Sequence, residues 1–250
     1  METRPGTDRG ASNDPNVPSP TSEKASIVED FIDIFYAPST VFARREKGGF
    51  GLPLLIISAL SAVFAFASRS VFSQIFDAEF ARGAAKAMAK DPRVTQEMLD
   101  KMRPIQENVA MFFVYLGAPL AIFFTAIFIW LVAKVVSGKL SFGQSMVVST
   151  FAWIPRMVGA LLAVVQVLLM DTANATNVFS LGFSPARFMN PDTTNPKLFA
   201  IIGSFDVFAL WQTVLIGIGI AVIAKLPRQK GYTAAAIIFV VLTLLSAAFR

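Results

Sequence analysis

The chain has no cysteine and no histidine among its 250 residues, and only 16% of them are charged. The missing cysteines exclude disulfides, thiolate nucleophiles and thiolate metal sites; the missing histidines exclude imidazole ligands and the commonest general base. The shortage of charge excludes an ordinary soluble domain, in which about a quarter of the residues are charged. What takes their place is apolar: 54% of the chain is hydrophobic, 24 residues are Phe, and the mean hydropathy is +0.59.

A helix rises about 1.5 Å per residue, so about 20 mostly apolar residues cross a hydrocarbon core of about 30 Å. Five windows meet that requirement, at about 50–68, 109–133, 143–170, 205–224 and 232–249. The fold class expected is therefore all-α: a polytopic membrane protein, a five-span transmembrane helical bundle occupying residues 50–250. The fourth window reads as a short segment, Lys197 to Gly203, followed by a helix with Asp206 as its N-cap, ending in the cationic turn Lys225-Leu226-Pro227. Pro119 and Pro155 lie inside the second and third spans, where each removes a helical hydrogen bond and predicts a kink. Gly117 with Ala121, Gly159 with Ala163 and Gly217 with Ala221 place small residues four apart, the pattern of close helix contact and of homo-oligomers.

Residues 1–24 hold four prolines and no apolar run, and read as a disordered cytoplasmic tail. No apolar core of a cleavable signal precedes Phe50, so the first span serves as the insertion signal. Residues 25–49 form an amphipathic interfacial segment. Ser26 and Glu29 make a capping box, and Ile27, Phe31, Ile34 and Phe35 recur at helical spacing before Pro38. That helix either lies in the membrane interface or packs against the end of the bundle. Residues 69–108 form a partly helical loop, with helical patterns over Asp77 to Ala89 and Val94 to Met102, the second closed before Pro104. Met98, Leu99 and Met102 make its packing stripe. The loop is either a solvated linker folded back on the bundle or a lid.

With the N-terminus inside, the short inner flanks carry Arg44, Arg45, Lys47, Lys134, Lys139, Lys225, Arg228 and Lys230, against Arg187 and Lys197 in the outer loop from Asp171 to Leu198. The expected address is the inner (plasma) membrane, with a cytoplasmic N-terminus and a periplasmic or outside C-terminus. The net charge of +5 lies at membrane borders rather than in a cluster with aromatics, so lipid headgroups, not nucleic acid, are its partners. Asn174-Ala175-Thr176 matches a glycosylation sequon, a three-residue pattern common by chance.

Intramembrane proteolysis needs a Ser with a base such as His, or two carboxylates held together in the bilayer. With no His and Asp206 alone near a span, neither set can be assembled, and no catalytic residue, metal site, cofactor or small-molecule substrate is expected. Carboxylates outside the spans, Asp77, Glu79 and Asp91, match no known ion-binding loop. Arg156 is the exception that needs explaining. It follows Pro155 deep in the third window, where an Arg costs about 2.5 to 3.5 kcal/mol. Either it lines a polar intramembrane site with Gln166, Gln212 and Asp206, or it donates to carbonyls freed at Pro155 or reaches toward phosphates. The first reading would make the chain a small transporter or channel.

The order of these features resembles a known family. Asp33-Ile34-Phe35-Tyr36-Ala37-Pro38, then Phe42, a basic group and Pro53, is similar to the start of the Yip domain in the bacterial branch of the Ypt/Rab-interacting membrane proteins. Phe151-Ala152-Trp153-Ile154-Pro155 with Gly159 resembles the family's third span. Phe205-Asp206-Val207-Phe208-Ala209-Leu210-Trp211 through Leu215, Gly217 and Gly219 resembles its closing hairpin. The resemblance implies five spans, a cytosolic N-terminus and a non-enzymatic role in organising membranes through contacts with lipids, other membrane proteins or further copies of itself. The eukaryotic members' polar cytosolic motif has no counterpart here.

Overall fold

The structure, a computed structural model, describes residues 26–169, 177 and 179–249. The tail read over residues 1–24 and the sequon at Asn174 lie outside the described residues. Everything regular in the described part is helical, in the order α1 (Ile27–Asp33), α2 (Pro38–Arg44), α3 (Gly51–Ala67), α4 (Arg69–Lys90), α5 (Gln96–Val135), α6 (Phe142–Ala152), α7 (Ile154–Leu169), α8 (Pro196–Ser204), α9 (Val207–Ile223) and α10 (Arg228–Ala248). Three stretches are long and apolar enough to cross a membrane by themselves: α5, α6 with α7 over Phe142–Gln166, and α10. The number rises to five when α3 with α4, bent by 71°, and α8 with α9, bent by 57°, each count as one span. The five-span bundle lies within that range.

The core explains which helices are central. Eight successive residues of α6, from Ser145 to Ala152, are buried, as is most of α9. A helix enclosed on every side is the arrangement for which an all-round apolar surface is suited. Phe42, Ile57, Ile122, Ile129, Val147, Phe151, Leu215, Ile220 and Ile238 fill the space between α2, α3, α5, α6, α9 and α10. Ser149 on α6 donates its hydroxyl to the Ile122 carbonyl of α5 at 2.7 Å, which satisfies a buried polar group. Gly217 and Gly231 let α9 and α10 approach closely. A Cβ on Gly217 would stand 2.6 Å from Tyr232 Cδ1, and one on Gly231 would stand 2.8 Å from the Ala221 Cβ. Gly159 faces the Phe208 ring at a similar approach, whereas Gly117 has open space beside it.

At one end of the bundle the helices are tied by charge and by two matching turns. α5 and α9 each close with a left-handed residue, Ser137 at φ 65° and Lys225 at φ 54°. The next amide then reaches back to the helix, Gly138 N to Ala133 O at 2.7 Å and Leu226 N to Ala221 O at 2.9 Å, which is a Schellman closure. The predicted capping box of α1 is formed, with Ser26 Oγ accepting from Glu29 N at 3.1 Å and Glu29 Oε2 accepting from Ser26 N at 2.7 Å. α1 then packs on the bundle, Phe31 against Phe151 and Phe35 against Trp211, both edge to face. The side of α1 away from the bundle leaves Val28, Ile32 and Tyr36 exposed. Asp30, fully buried, meets Arg44 at 3.0 Å and also Arg45, while Asp33 binds Arg44.

The segment 69–108 differs from its sequence reading in three respects. α4 begins at Arg69, immediately after α3, instead of near Asp77. α5 does not stop before Pro104 but runs helically from Gln96 through Pro104 and Pro119 to Val135. Proline removes one hydrogen bond, and good helix formers on both sides propagate past it. The stripe of Met98, Leu99 and Met102 is corrected as well: Met98 and Met102 are 53% and 50% exposed. At 40 residues α5 is about 60 Å long, twice the hydrocarbon thickness, so its first turns project beyond the bilayer. There Arg103 pairs with Asp77 of α4 at 2.6 Å, in place of a methionine seam.

Candidate functional site

The third span breaks at Trp153, between α6 and α7, two residues before Pro155. Trp153 N still donates to Ser149 O at 3.1 Å, and Arg156 N donates to Trp153 O at 2.9 Å, so the chain turns tightly there before α7 continues. Pro155 lacks the N–H that would have continued the ladder. The break aims the Arg156 side chain at α9. Its Nε donates to Gln212 Oε1 at 3.0 Å, its Nη1 lies 3.9 Å from Asp206 Oδ1, and its guanidinium is 5.7 Å from the Trp153 ring centre.

Asp206 is the N-cap of α9, as the sequence indicates. Its Oδ1 accepts from Phe208 N at 2.9 Å and Ala209 N at 3.2 Å, and its Oδ2 accepts from Phe183 N at 2.7 Å. Three backbone amides therefore hold this carboxylate, which fixes the segment around Phe183 to the start of α9. Arg156 stands outside hydrogen-bond reach of it. Charge attraction remains, because the two groups share a partly enclosed site.

Of the four polar residues singled out from the sequence, Arg156, Gln212 and Asp206 come together, and Gln166 does not join them. Gln166 Oε1 accepts from Arg187 Nη2 at 3.0 Å, and its amide reaches Leu181 O at 3.5 Å. Arg187, in the 3₁₀ turn Pro185–Phe188, was countable from sequence only as a loop cation. The signal that could have found it is the pairing of a lone polar residue late in the third span with the nearest loop arginine.

Depth follows from helix lengths. α9 has 17 residues, about 25 Å, between its N-cap at Asp206 and the turn at Lys225. Arg156 is thus level with the Asp206 cap, far from the Lys225 end of α9, and on its own span it stands 14 residues after Phe142 and 13 before Leu169. The carbonyls near Pro155 are not its acceptors; a side-chain amide is.

Cavities meet at this residue. One of about 400 Å³ lies between α5, α9 and α10, and Thr125, Gln212, Thr213, Thr243 and Ser246 contribute its polar lining. A second, of about 220 Å³ and largely apolar, lies between α3, α5 and α7. A third, of about 230 Å³, also touches Asp206 and Phe183. The group offers cationic and amide N–H donors beside enclosed space, which is chemistry for holding an anion or a carbonyl-bearing molecule. Among the described residues no group of three or more acidic side chains is placed to hold a metal ion.

A bundle of apolar helices, a buried core that excludes strands among the described residues, and a polar group between the helices define an integral membrane protein of the all-helical class. The chain belongs to the Yip1 domain family, whose sequence pattern matches residues 32–249. It is similar to a Bacillus subtilis (strain 168) protein, membrane protein YknW, with 23% identity over 217 residues, 85% of this chain and 86% of that one. No solved structure matches it.

Proposed function

We propose that this protein is a non-enzymatic organising component of the inner membrane, working through helix packing and through contacts with lipids, other membrane proteins or a second copy of itself. The observation that carries the reading is the clamped N-terminal helix pair. Asp30 with Arg44 and Arg45 ties α1 to α2, Phe31, Phe35 and Phe42 pack the pair on the bundle, and the opposite side of the segment exposes Val28, Ile32 and Tyr36. A rigid charged anchor with an apolar outer face is suited to hold a lipid surface or a partner helix. The open space beside Gly117, on the face of α5 that also bears Ala121, favours self-association. The N-terminus is cytoplasmic on this reading, since the end with Arg44, Lys134, Lys139, Lys225 and Arg228 is the basic one.

Crosslinking in native membranes, followed by identification of the captured molecules, tests the reading. Defined membrane partners or further copies are expected. Turnover of a substrate by the purified protein, lost on changing Arg156, would overturn it. A reporter fused after Gly138 reads cytoplasmic and one after Asn190 reads outside; a periplasmic signal at Gly138 reverses the topology.

A small transporter or channel is the second reading, favoured by the cavities that meet at Arg156. Solute uptake into proteoliposomes that disappears with Arg156→Gln would establish it.

A further inference from the structure

The guanidinium of Arg156 is incompletely used. Only Nε has a hydrogen-bond acceptor among the described residues, and the four N–H groups on Nη1 and Nη2 have none. The Gln212 amide nitrogen, 7% exposed as a residue, also has no acceptor there, since its oxygen is what binds Arg156. Thr125 and Thr243, 6% and 9% exposed, line the same cavity, and neither hydroxyl meets a partner among the described residues. Polar groups that line one cavity without a protein partner leave bonding capacity for a molecule within it.

The shape of the cavity says which kind. Its volume of about 400 Å³ lies in the range of ligand sites, roughly 300 to 1,000 Å³. Along α10, Thr243 and Ser246 stand about 23 and 27 Å from the Arg228 end, on the same cavity as Arg156. Ile216 and Ile238 line the cavity about 10 and 15 Å from the ends of α9 and α10 that face the basic turn, at mid-depth in the bilayer. Arg156, Thr243 and Ser246 thus stand toward one end of the cavity and Ile216 toward the other, with Thr125, Thr213, Gln212 and Ile238 at about one level between them. A membrane amphiphile with its anionic head at the Arg156 end and its chain running toward Ile216 fits that arrangement.

The geometry points to a lipid site: the cavity between α5, α9 and α10 takes the chain of a membrane amphiphile whose anionic headgroup is held by Arg156 and Gln212. Phosphate and carboxylate heads share this chemistry, since a guanidinium fork matches the two oxygens of either. Asp206 does not occupy the fork, because its oxygens are taken by three amides. The inference deepens the reading of the protein as a lipid-contacting component and can fail without it.

The full chain is reconstituted in phosphatidylcholine nanodiscs with a minor share of phosphatidylglycerol, and the lipid retained after release is counted by native mass spectrometry. The wild type is expected to retain phosphatidylglycerol over phosphatidylcholine by at least tenfold. Arg156→Gln abolishes that preference and Arg156→Lys keeps most of it. Ile238→Trp, which fills the cavity floor without touching charge, removes retention. Dodecyl phosphate displaces the lipid, and inorganic phosphate at equal concentration does not. A palmitate arm separates carboxylate from phosphate heads by which of the two competes at the lower concentration. Equal retention of both phospholipids by the wild type, unchanged retention in Ile238→Trp, or displacement by inorganic phosphate as effective as by dodecyl phosphate overturns the lipid site. If lipid is not retained but native-membrane crosslinking still captures partners, the site falls and the proposed function stands.

Discussion

The two ends of the bundle both carry charge, and they use it in opposite ways. At the basic end three acids have cationic partners: Asp30 is fully buried between Arg44 and Arg45, Asp33 binds Arg44, and Glu46 pairs with Lys225 at 3.3 Å. Gln144 of α6 adds a bond to the Glu46 carbonyl at 3.2 Å, so three separate parts of the chain meet there. At the opposite end Arg156 has one side-chain acceptor and an acid just beyond hydrogen-bond reach, with open cavities beside it. A saturated charge cluster fixes structure because removing any member strands a partner; an unsaturated one has bonding capacity left for something else.

The largest effect expected from this contrast is at Asp30. Asp30→Ala leaves Arg44 and Arg45 facing a buried gap and should cost about 3 kcal/mol. Thermal unfolding in detergent measures it, and a loss below about 1 kcal/mol would mean that the clamp is not structural. Next comes the helix contact that carries no charge. Gly217→Ala pushes α10 off α9 through Tyr232 and should cost about 1 to 3 kcal/mol in the same assay.

Arg156→Met should change stability by less than about 1 kcal/mol, since it exchanges a partly satisfied ion for an apolar side chain of similar length. If it proves as damaging as Asp30→Ala, the distinction between the two ends collapses. Ser137→Gly should stabilise by about 0.5 to 1 kcal/mol, because glycine adopts the positive φ of that turn without strain.

The smallest effect lies outside the membrane, at the turn between α4 and α5. The Arg93 side chain, followed by its backbone N–H, holds the Asp91 carboxyl below its ordinary value of 3.8. A depressed folded-state value contributes stability that is present above the unfolded value and is lost as pH falls through the lowered folded one. Arg93→Ala should therefore move the Asp91 titration, followed by NMR, back up toward 3.8. An unmoved titration would show that the contact does not persist in solution.

Much of this could be read in the chain before any tertiary structure. The apolar windows, the Ser26–Glu29 capping box, the break near Pro155 and the Asp206 cap each depend on residues within a few positions of one another. What was misread depended on longer range or on competition between local signals. Pro104 looked like a stop, yet the residues around it sustain the helix, and the methionines beside it look outward while Arg103 makes the contact to α4. Asp30 has no basic residue within a helical turn of it, and its two arginines arrive only when α2 folds back over it. Gln166 is ten residues from Arg156 on the same span, and a loop arginine reaches it instead.

By itself, then, the sequence determined that this chain lives in a bilayer as helices, and roughly where they start, stop and break. Solvent preference and helix capping are local properties, written in composition and short spacing. Only the tertiary structure decided which charges are spent and which are spare. Whether Arg44, Arg45 or Arg156 finds an acceptor depends on residues 11 to 56 positions away, and on the packing that sets Arg156 beside the cap of α9. Electrostatic saturation is a property of the assembled end of a bundle, and no single span contains it.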